Sequence, residues 1–462
     1  MKENKEEQNK MLEKLFKLKE NKTSVKVEVM GGITTFMTMA YILAVNPSML
    51  EAAGMDKTAV LIATALASFI GTLIMALLAN YPFALAPGMG LNAYFAYTVC
   101  GAMGYSWQIA LMAVFAEGII FIVLSLTNVR EAVFNAIPLS LKKGVSVGIG
   151  LFVAFIGLQN GKIVVANGST LVSYVDFTAN FSTEGICALL ALIGLMITAI
   201  LYIYHVKGAI LFGIIITWVL GMLCQAVGIY VPDFEAGYYS LYPAWGFTDL
   251  SALGNTFAAC FKADFSGMRV FDFIVIMFSF LFVDMFDTLG TLIGVANKAD
   301  MLDENGKLPR IKQALLADAV ATSAGAVLGT STTTTFVESS SGVAEGARTG
   351  LASVVTGLLF LAAIVLSPIF CSIPGFATAP ALVFVGFLMI STVVSIDFSE
   401  LTEAVPAYLC LLSMPLMYSI SEGIAIGVIS YVIINLVTGN AKKITPLMYV
   451  LAVLFVCKYI FL

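Results

Sequence analysis

Two acidic residues interrupt a strongly apolar stretch in the second half of the sequence. Asp284 and Asp287 lie within FLFVDMFDTLGTLIG, and their three-residue spacing would place both carboxylates near one face of a helix. An ionised carboxylate is costly in apolar surroundings, so we expect these side chains to face a polar cavity. A capping or packing role for one of them is the alternative.

A hydroxyl-rich segment supplies a third carboxylate. The run GTSTTTT ends at Thr335 and is followed by Phe336 and Glu338. Its hydroxyls and free backbone groups could hydrogen-bond a polar solute. A helix beginning at Glu338 would hold that carboxylate at its positive end. The alternatives are a surface loop for the run and an ordinary acidic residue at a loop for Glu338.

A similar interruption occurs in the first half of the chain, where FALAPGMGLN contains Gly90 and ends at Asn92. Pro87 in this segment removes a helix donor. The Asn92 amide offers both a donor and an acceptor, so we weigh it equally as a ligand for a solute and as a helix cap. Gly90 and Asn92 complete the set of candidate binding residues.

Other polar features are assigned smaller roles. Asp318 is a further acid in an apolar stretch and is ranked below the others as structural. His205 lies at a predicted turn, and Arg348 is predicted to mark the end of a span. The sequence has no GxxxxGK[ST] phosphate loop and no spaced Cys/His cluster, so we expect no ATP-driven step, no metal and no cofactor.

The elements that position these residues must lie in a membrane. Of the 462 residues, 60% are hydrophobic and only 11% are charged, whereas soluble domains carry about 25% charged residues. Apolar runs of about 20 residues, long enough to cross a bilayer, recur from Gly31 onward. The composition predicts a polytopic protein in contact with lipid. It shows no basic surface for nucleic acid.

We predict fourteen spans and a short final apolar segment. The predicted spans are about 29–50, 58–80, 83–101, 106–126, 140–160, 187–205, 208–229, 270–296, 312–329, 331–347, 349–371, 377–396, 402–418 and 422–438. Lysine and arginine concentrate in the N-terminal tail, around Arg130, and in other alternate loops, which the positive-inside rule places in the cytoplasm. The expected location is the plasma membrane, and whether 446–461 spans it is left open.

The two halves share a layout. In each half, two ordinary spans precede a short interrupted one, and seven spans per half would make the halves inverted relative to each other. Paired interrupted segments indicate the binding site of a transporter, because irregular backbone at membrane depth must line a cavity or be buried in protein. The layout therefore predicts a carrier whose site lies where the two interruptions meet.

Four segments carry a family resemblance: GGITTFMTMAYILAVNP, ALAPGMGLNAYFAY, FVDMFDTLGTLIGVANKA and TSTTTTFVESSSGVAEGARTGL. They resemble the AzgA-like purine permeases of the nucleobase–cation symporter-2 family, over about residues 24–440. The resemblance implies an all-α uracil-permease-like fold of fourteen spans in two inverted repeats of seven, with short strands in spans 3 and 10. The implied division is a tail (1–28), core (29–126), gate (127–230), extracellular loop (231–269), core (270–371) and gate (372–462).

The same resemblance assigns roles to residues. The family's acid-x-x-Gly pattern before Gly290 falls on Asp287, its second acid on Glu338 and its span-three asparagine on Asn92. The uracil-permease branch has a histidine where this chain has Thr291, so the proton-coupling group stays open among Asp287, Asp284 and Glu338. The aromatic side chains that could stack on a flat ring are Phe336, Phe286, Phe36 and Phe95.

The function implied is uptake of a purine base, hypoxanthine or guanine, by proton symport through an elevator-like movement, with no enzymatic activity. Adenine, xanthine or uracil transport is the alternative within the family, and an anion transporter or exchanger of the same fold is the alternative outside it. A channel and a membrane enzyme are more distant alternatives. Whether the protein forms a homodimer is left open.

Overall fold

The computed structural model describes residues 12–126, 137–178, 180–233, 237–243, 246, 248–299, 301 and 308–461. Arg130, part of the predicted cytoplasmic charge, lies outside these ranges. In the first half the elements are α1 Val25–Met39, α2 Ile42–Glu51, α3 Lys57–Ile74, β1 Leu85–Pro87, α4 Met89–Ala93, α5 Trp107–Leu126, α6 Leu139–Asn160, β2 Val164–Asn167, β3 Leu171–Tyr174, α7 Ile186–Ile203 and α8 Ala209–Ala226.

In the second half they are α9 Val270–Lys298, α10 Ile311–Leu328, β4 Thr333–Thr335, α11 Ser339–Ala344, α12 Gly350–Ala363, α13 Ser367–Cys371, α14 Gly375–Ile390, α15 Leu401–Leu416, α16 Ile420–Val437 and α17 Pro446–Phe461. Ten helices in the described ranges are long and apolar enough to cross a membrane, among them one that runs from Val25 to Glu51 and contains α1 and α2. The protein is a multi-pass membrane protein, as the composition predicted.

The two interrupted spans meet in a small sheet. Strands β1 and β4 pair antiparallel, with Leu85 opposite Thr335 and Pro87 opposite Thr333. The pairing continues past both strand ends, because Gly88 N donates to Thr332 O over 3.0 Å and Phe336 N donates to Ala84 O over 3.0 Å. The irregular backbone of each span thus satisfies that of the other inside the protein.

The position of the strands reflects the inverted repeat. β1 follows the second crossing of the first half, and β4 follows the second crossing of the second half. Inverted halves bring equivalent segments together in opposite directions, which is the antiparallel pairing observed. The predicted short strands in spans 3 and 10 are therefore confirmed.

Helix contacts fall into two sets. In one, α10 packs on α3 and α5, while α12 packs on α1 and α3. In the other, α6 packs on α14 and α15, and α15 packs on α16. The first set contains the paired strands and corresponds to the predicted core, and the second corresponds to the predicted gate. The exact boundaries between them stay a prediction.

The first span begins earlier than predicted and is broken. The side chain of Ser24 caps α1 by accepting from Val27 N, and Glu28, which the sequence assigned to the tail, is fully buried. Its carboxylate accepts the backbone N–H groups of Arg348 and Ala352 over 2.8 and 3.2 Å, at the start of α12. The α-helical pattern of span 1 is interrupted only at Ala40 and Tyr41, which keep helical dihedral angles; the apolar pattern did not show this irregularity.

Two further segments gain structure that was not predicted. The stretch between α6 and α7 forms a hairpin of β2 and β3. The final segment forms α17, which packs on α16. Tyr459 near its end donates to Glu422 in the first turn of α16, so α17 runs antiparallel along α16.

Candidate functional site

Two carboxylates lie at the ends of the paired strands. Glu338 is half-buried, and α11 begins at the next residue, as the sequence predicted. Asp287, on α9, is also half-buried. Its Oδ2 lies 3.5 Å from the position that a Cβ would occupy on Gly88, just after β1. The same position lies only 2.8 Å from Thr334 Cγ2, so the missing side chain at Gly88 allows β1, β4 and α9 to approach one another closely.

A residue of span 1 hydrogen-bonds to the Glu338 carboxylate. Tyr41, at the break between α1 and α2, donates its hydroxyl to Glu338 Oε1 over 2.7 Å. One helical turn earlier, the Thr38 hydroxyl lies 3.5 Å from the Glu338 carbonyl oxygen. Tyr41 is only 1% exposed, so it contacts the carboxylate from the protein interior.

Asp287 has two other carboxylates in its neighbourhood. Asp287 lies within electrostatic range of both Asp284 and Glu338. Among the described residues, neither Asp287 nor Glu338 forms an ion pair. Ionised carboxylates only accept hydrogen bonds, so each of the two could accept a bond from a neutral molecule that presents N–H donors.

A buried polar cluster lies behind this cleft. Thr288, four residues after Asp284, places its hydroxyl 2.8 Å from Asp284 Oδ1 and 3.1 Å from both carboxylate oxygens of Asp318. The same hydroxyl is 2.6 Å from the hydroxyl of Thr334 in β4. Asp284 and Asp318 are both fully buried. The cluster thus connects α9 and α10 to the strand, and Asp284 belongs to it rather than to the open cleft.

Asn92 lies in a different polar layer. Its Oδ1 accepts a hydrogen bond from Ser331, and the side chain is fully buried. The next residue, Thr332, donates to Glu117 of α5 over 3.0 Å. In the structure Asn92 therefore fixes the segment that leads into β4, and its contacts are not with Asp287 or Glu338.

The remaining predicted binding residues lie around the strands. A Cβ on Gly90 would approach Ile149 Cγ2 of α6 to 2.6 Å, so Gly90 is a point of close contact between the two helix sets. Thr335 is 2% exposed. Neighbouring strand residues face opposite sides, so Thr335 points away from the side where Thr334 meets Thr288.

Most of the aromatic side chains that were predicted as stacking partners pack against other side chains of the protein. Phe36 packs edge-on against Phe360 with ring centroids 5.2 Å apart, and Phe95 lies 6.4 Å from the ring of Phe280. Phe336 is 6% exposed and belongs to the apolar core. The side chain of Phe286 lies outside the described residues.

Three residues that contact the candidate site were not predicted from the sequence or were predicted to be only structural. Asp318 was ranked as structural, although its contact with Thr288 places it directly behind the site. Thr288 follows Asp284 by four residues, a same-face spacing that could have paired them. Tyr41 carried no such signal, because its contact with Glu338 joins residues 297 positions apart.

The comparison with known proteins decides the family. Residues 26–426 match the xanthine/uracil permease profile, described as the Permease family. The chain belongs to the nucleobase–cation symporter-2 family. Members of this family are permeases, so the protein is a transporter and not an enzyme.

Relatives of this permease cover almost its whole length. It is 48% identical to a protein named as a permease from Methanocaldococcus jannaschii, over 98% of this chain and 99% of the relative. It is 44% identical to the guanine/hypoxanthine permease PbuO of Bacillus subtilis, over 96% and 98%. It is 42% identical to the adenine permease AdeP of Escherichia coli, over 98% and 96%.

Solved structures share the fold of this permease at low identity. The transmembrane domain of the cyanobacterium bicarbonate transporter BicA matches with a TM-score of 0.61 at 13% identity, over 87% of this chain and 97% of that one. SLC26A9 matches with a TM-score of 0.58 at 12% identity, over 90% and 67%. These likenesses establish the core and gate architecture and carry no information on the substrate.

The shared hydroxyl of the buried cluster can be tested by Thr288→Val. The variant removes the one proton that Thr288 can donate to Asp284 or Asp318, so we expect the free energy of unfolding to fall by about 1–3 kcal/mol, measured as a lower melting temperature of the purified permease in detergent. Thr291→Val, three residues further along α9, is the control and should change stability by less than about 0.5 kcal/mol. Equal melting temperatures for the two variants would contradict the role of Thr288.

Proposed function

We propose that this permease imports purine bases, with hypoxanthine and guanine as the preferred substrates, through the cleft between Asp287 and Glu338. The observation that carries the proposal is the pair of half-buried carboxylates at the ends of the paired strands. They are acceptors in an apolar protein, at the meeting point of the inverted halves.

The chemistry of a purine suits this cleft. Guanine and hypoxanthine are neutral and flat, and they carry N–H donors on neighbouring atoms. A carboxylate can accept two adjacent N–H groups, and hydrogen bonds to a charged acceptor are stronger than neutral ones. Glu338, held by Tyr41 on one side, is our candidate for this pairing, and Asp287 faces it across the cleft. The relatives named as guanine/hypoxanthine and adenine permeases support the purine class.

An anion substrate is disfavoured by the same geometry. The fold is shared with a bicarbonate transporter, but two carboxylates facing one cleft would repel an anion. Adenine is the nearest alternative purine, because the chain is almost equally identical to AdeP and PbuO. Competition of unlabelled bases with labelled hypoxanthine for uptake distinguishes the preferred base.

We propose that protons drive the uptake. Asp284, Asp287 and Glu338 repel one another when all are ionised, so taking up a proton relieves the repulsion in this apolar interior. Asp287 and Asp284 are the candidate carriers of the proton. The proposed movement is an elevator-like shift of the core set of helices against the gate set, with contact at Gly90 and Ile149. The proposed setting is the plasma membrane with a cytoplasmic N-terminus.

The substrate site is tested by Asp287→Asn and Glu338→Gln. Each change replaces an acceptor-only carboxylate by an amide, so we expect uptake of labelled hypoxanthine to fall at least about tenfold. Uptake by the wild-type protein should be competed by guanine more strongly than by adenine or uracil. Glu51→Gln, at an exposed residue, is the matched control. Near wild-type uptake by both cleft variants would refute the site.

The driving ion is tested in proteoliposomes with an imposed proton gradient. We expect accumulation of hypoxanthine above its outside concentration, and we expect that accumulation to disappear when a protonophore collapses the pH gradient and the membrane potential. Measuring uptake with and without sodium is the control for the ion. Accumulation that survives the protonophore would exclude proton symport while leaving the substrate assignment intact.

A further inference from the structure

We infer that Tyr41 is a positioning residue that sets substrate affinity by fixing the orientation of the Glu338 carboxylate. The inference rests on the proposed function and assigns a role to span 1, which contributes no carboxylate to the cleft. Tyr41 lies between the last residue of α1, Met39, and the first residue of α2, Ile42. The α-helical pattern is therefore interrupted where the phenol meets Glu338, although Ala40 and Tyr41 keep helical dihedral angles.

The contact is specific in its geometry. The Tyr41 hydroxyl donates to Glu338 Oε1 over 2.7 Å, a length typical of a hydrogen bond between a hydroxyl and a charged acceptor. The phenol is buried, whereas Glu338 is half-buried. The carboxylate is thus anchored by a buried phenol, while Glu338 as a residue stays partly exposed.

A second contact keeps span 1 aligned with this segment. The Thr38 hydroxyl donates to the carbonyl oxygen of Thr35 over 2.9 Å and also lies near the Glu338 carbonyl oxygen. Thr38 and Tyr41 are three residues apart, the spacing that brings side chains to one face of a helix. Span 1 therefore contacts both the backbone and the carboxylate of Glu338.

The orientation of the carboxylate matters because it would pair with two N–H groups in one plane. A Glu side chain has three rotatable bonds, and holding it in one conformer before the substrate arrives removes part of the entropy that binding would otherwise cost. Without the phenol hydroxyl, the carboxylate would sample other conformers. Affinity would fall, whereas the steps that follow binding would be unchanged.

The test is Tyr41→Phe, which removes the hydroxyl and keeps the ring. We expect the KM for hypoxanthine and the Kd of the purified protein to rise about tenfold, the equivalent of one hydrogen bond to a charged group, with the maximal uptake rate within about twofold of wild type. Tyr431→Phe is the matched control, because buried Tyr431 donates to Glu403 over 3.1 Å in the other helix set. It should leave both constants unchanged.

A double variant shows whether Tyr41 acts through Glu338. In the Glu338→Gln background, Tyr41→Phe should weaken binding by less than about twofold further, because residues that act as a unit are not additive. If Tyr41→Phe destabilises the fold, p-aminophenylalanine and p-fluorophenylalanine at position 41 provide a donor and a non-donor of similar size, and only the donor should keep wild-type affinity.

The outcomes separate the two claims. Wild-type affinity in Tyr41→Phe, or full additivity in the double variant, overturns the role of Tyr41 while the weakened binding of Glu338→Gln still supports the proposed function. Failure of the wild-type protein to bind any purine overturns both. A fall in the maximal rate with unchanged KM also overturns the positioning role, since it would place Tyr41 in the transport movement instead.

Discussion

Backbone groups at the depth of a membrane have no water to bond with, and the two interrupted spans satisfy theirs by bonding to each other. The three-residue pairing of β1 with β4 is thus the constraint on which the rest of the site depends. The paired segments end at Gly88, which lies beside Asp287, and at Phe336, two residues before Glu338. Pairing between equivalent segments is available only because the two halves are inverted.

The pairing also sorts the acidic residues into two layers. Glu338 and Asp287 lie at the strand ends and are partly open, whereas Asp284 and Asp318 are fully buried and share the hydroxyl of Thr288. The front layer suits the recognition of N–H donors. Thr288 also contacts Thr334 of β4, so the buried pair Asp284 and Asp318 is connected to the partly exposed pair through the sheet. This connection is a route by which substrate binding and proton binding could influence each other.

Much of this architecture could be predicted from the sequence, because a membrane imposes long apolar runs and makes polar interruptions conspicuous. The spans, the paired breaks and the acids Asp287 and Glu338 follow from that contrast. The break in span 1 and the role of Tyr41 could not be predicted, since the contact with Glu338 spans most of the chain. For Asn92 the residue type left a ligand and a helix cap equally open, and its contact with Ser331 depends on the fold.

The central claim is that a purine lies between the two front carboxylates, and a structure of the permease with bound hypoxanthine tests it most directly. We predict density for the ring at the ends of β1 and β4, with its N–H groups within about 3.5 Å of Glu338 and with Asp287 on the facing side. Density for the base elsewhere, with both carboxylates making no contact to it, would contradict the account.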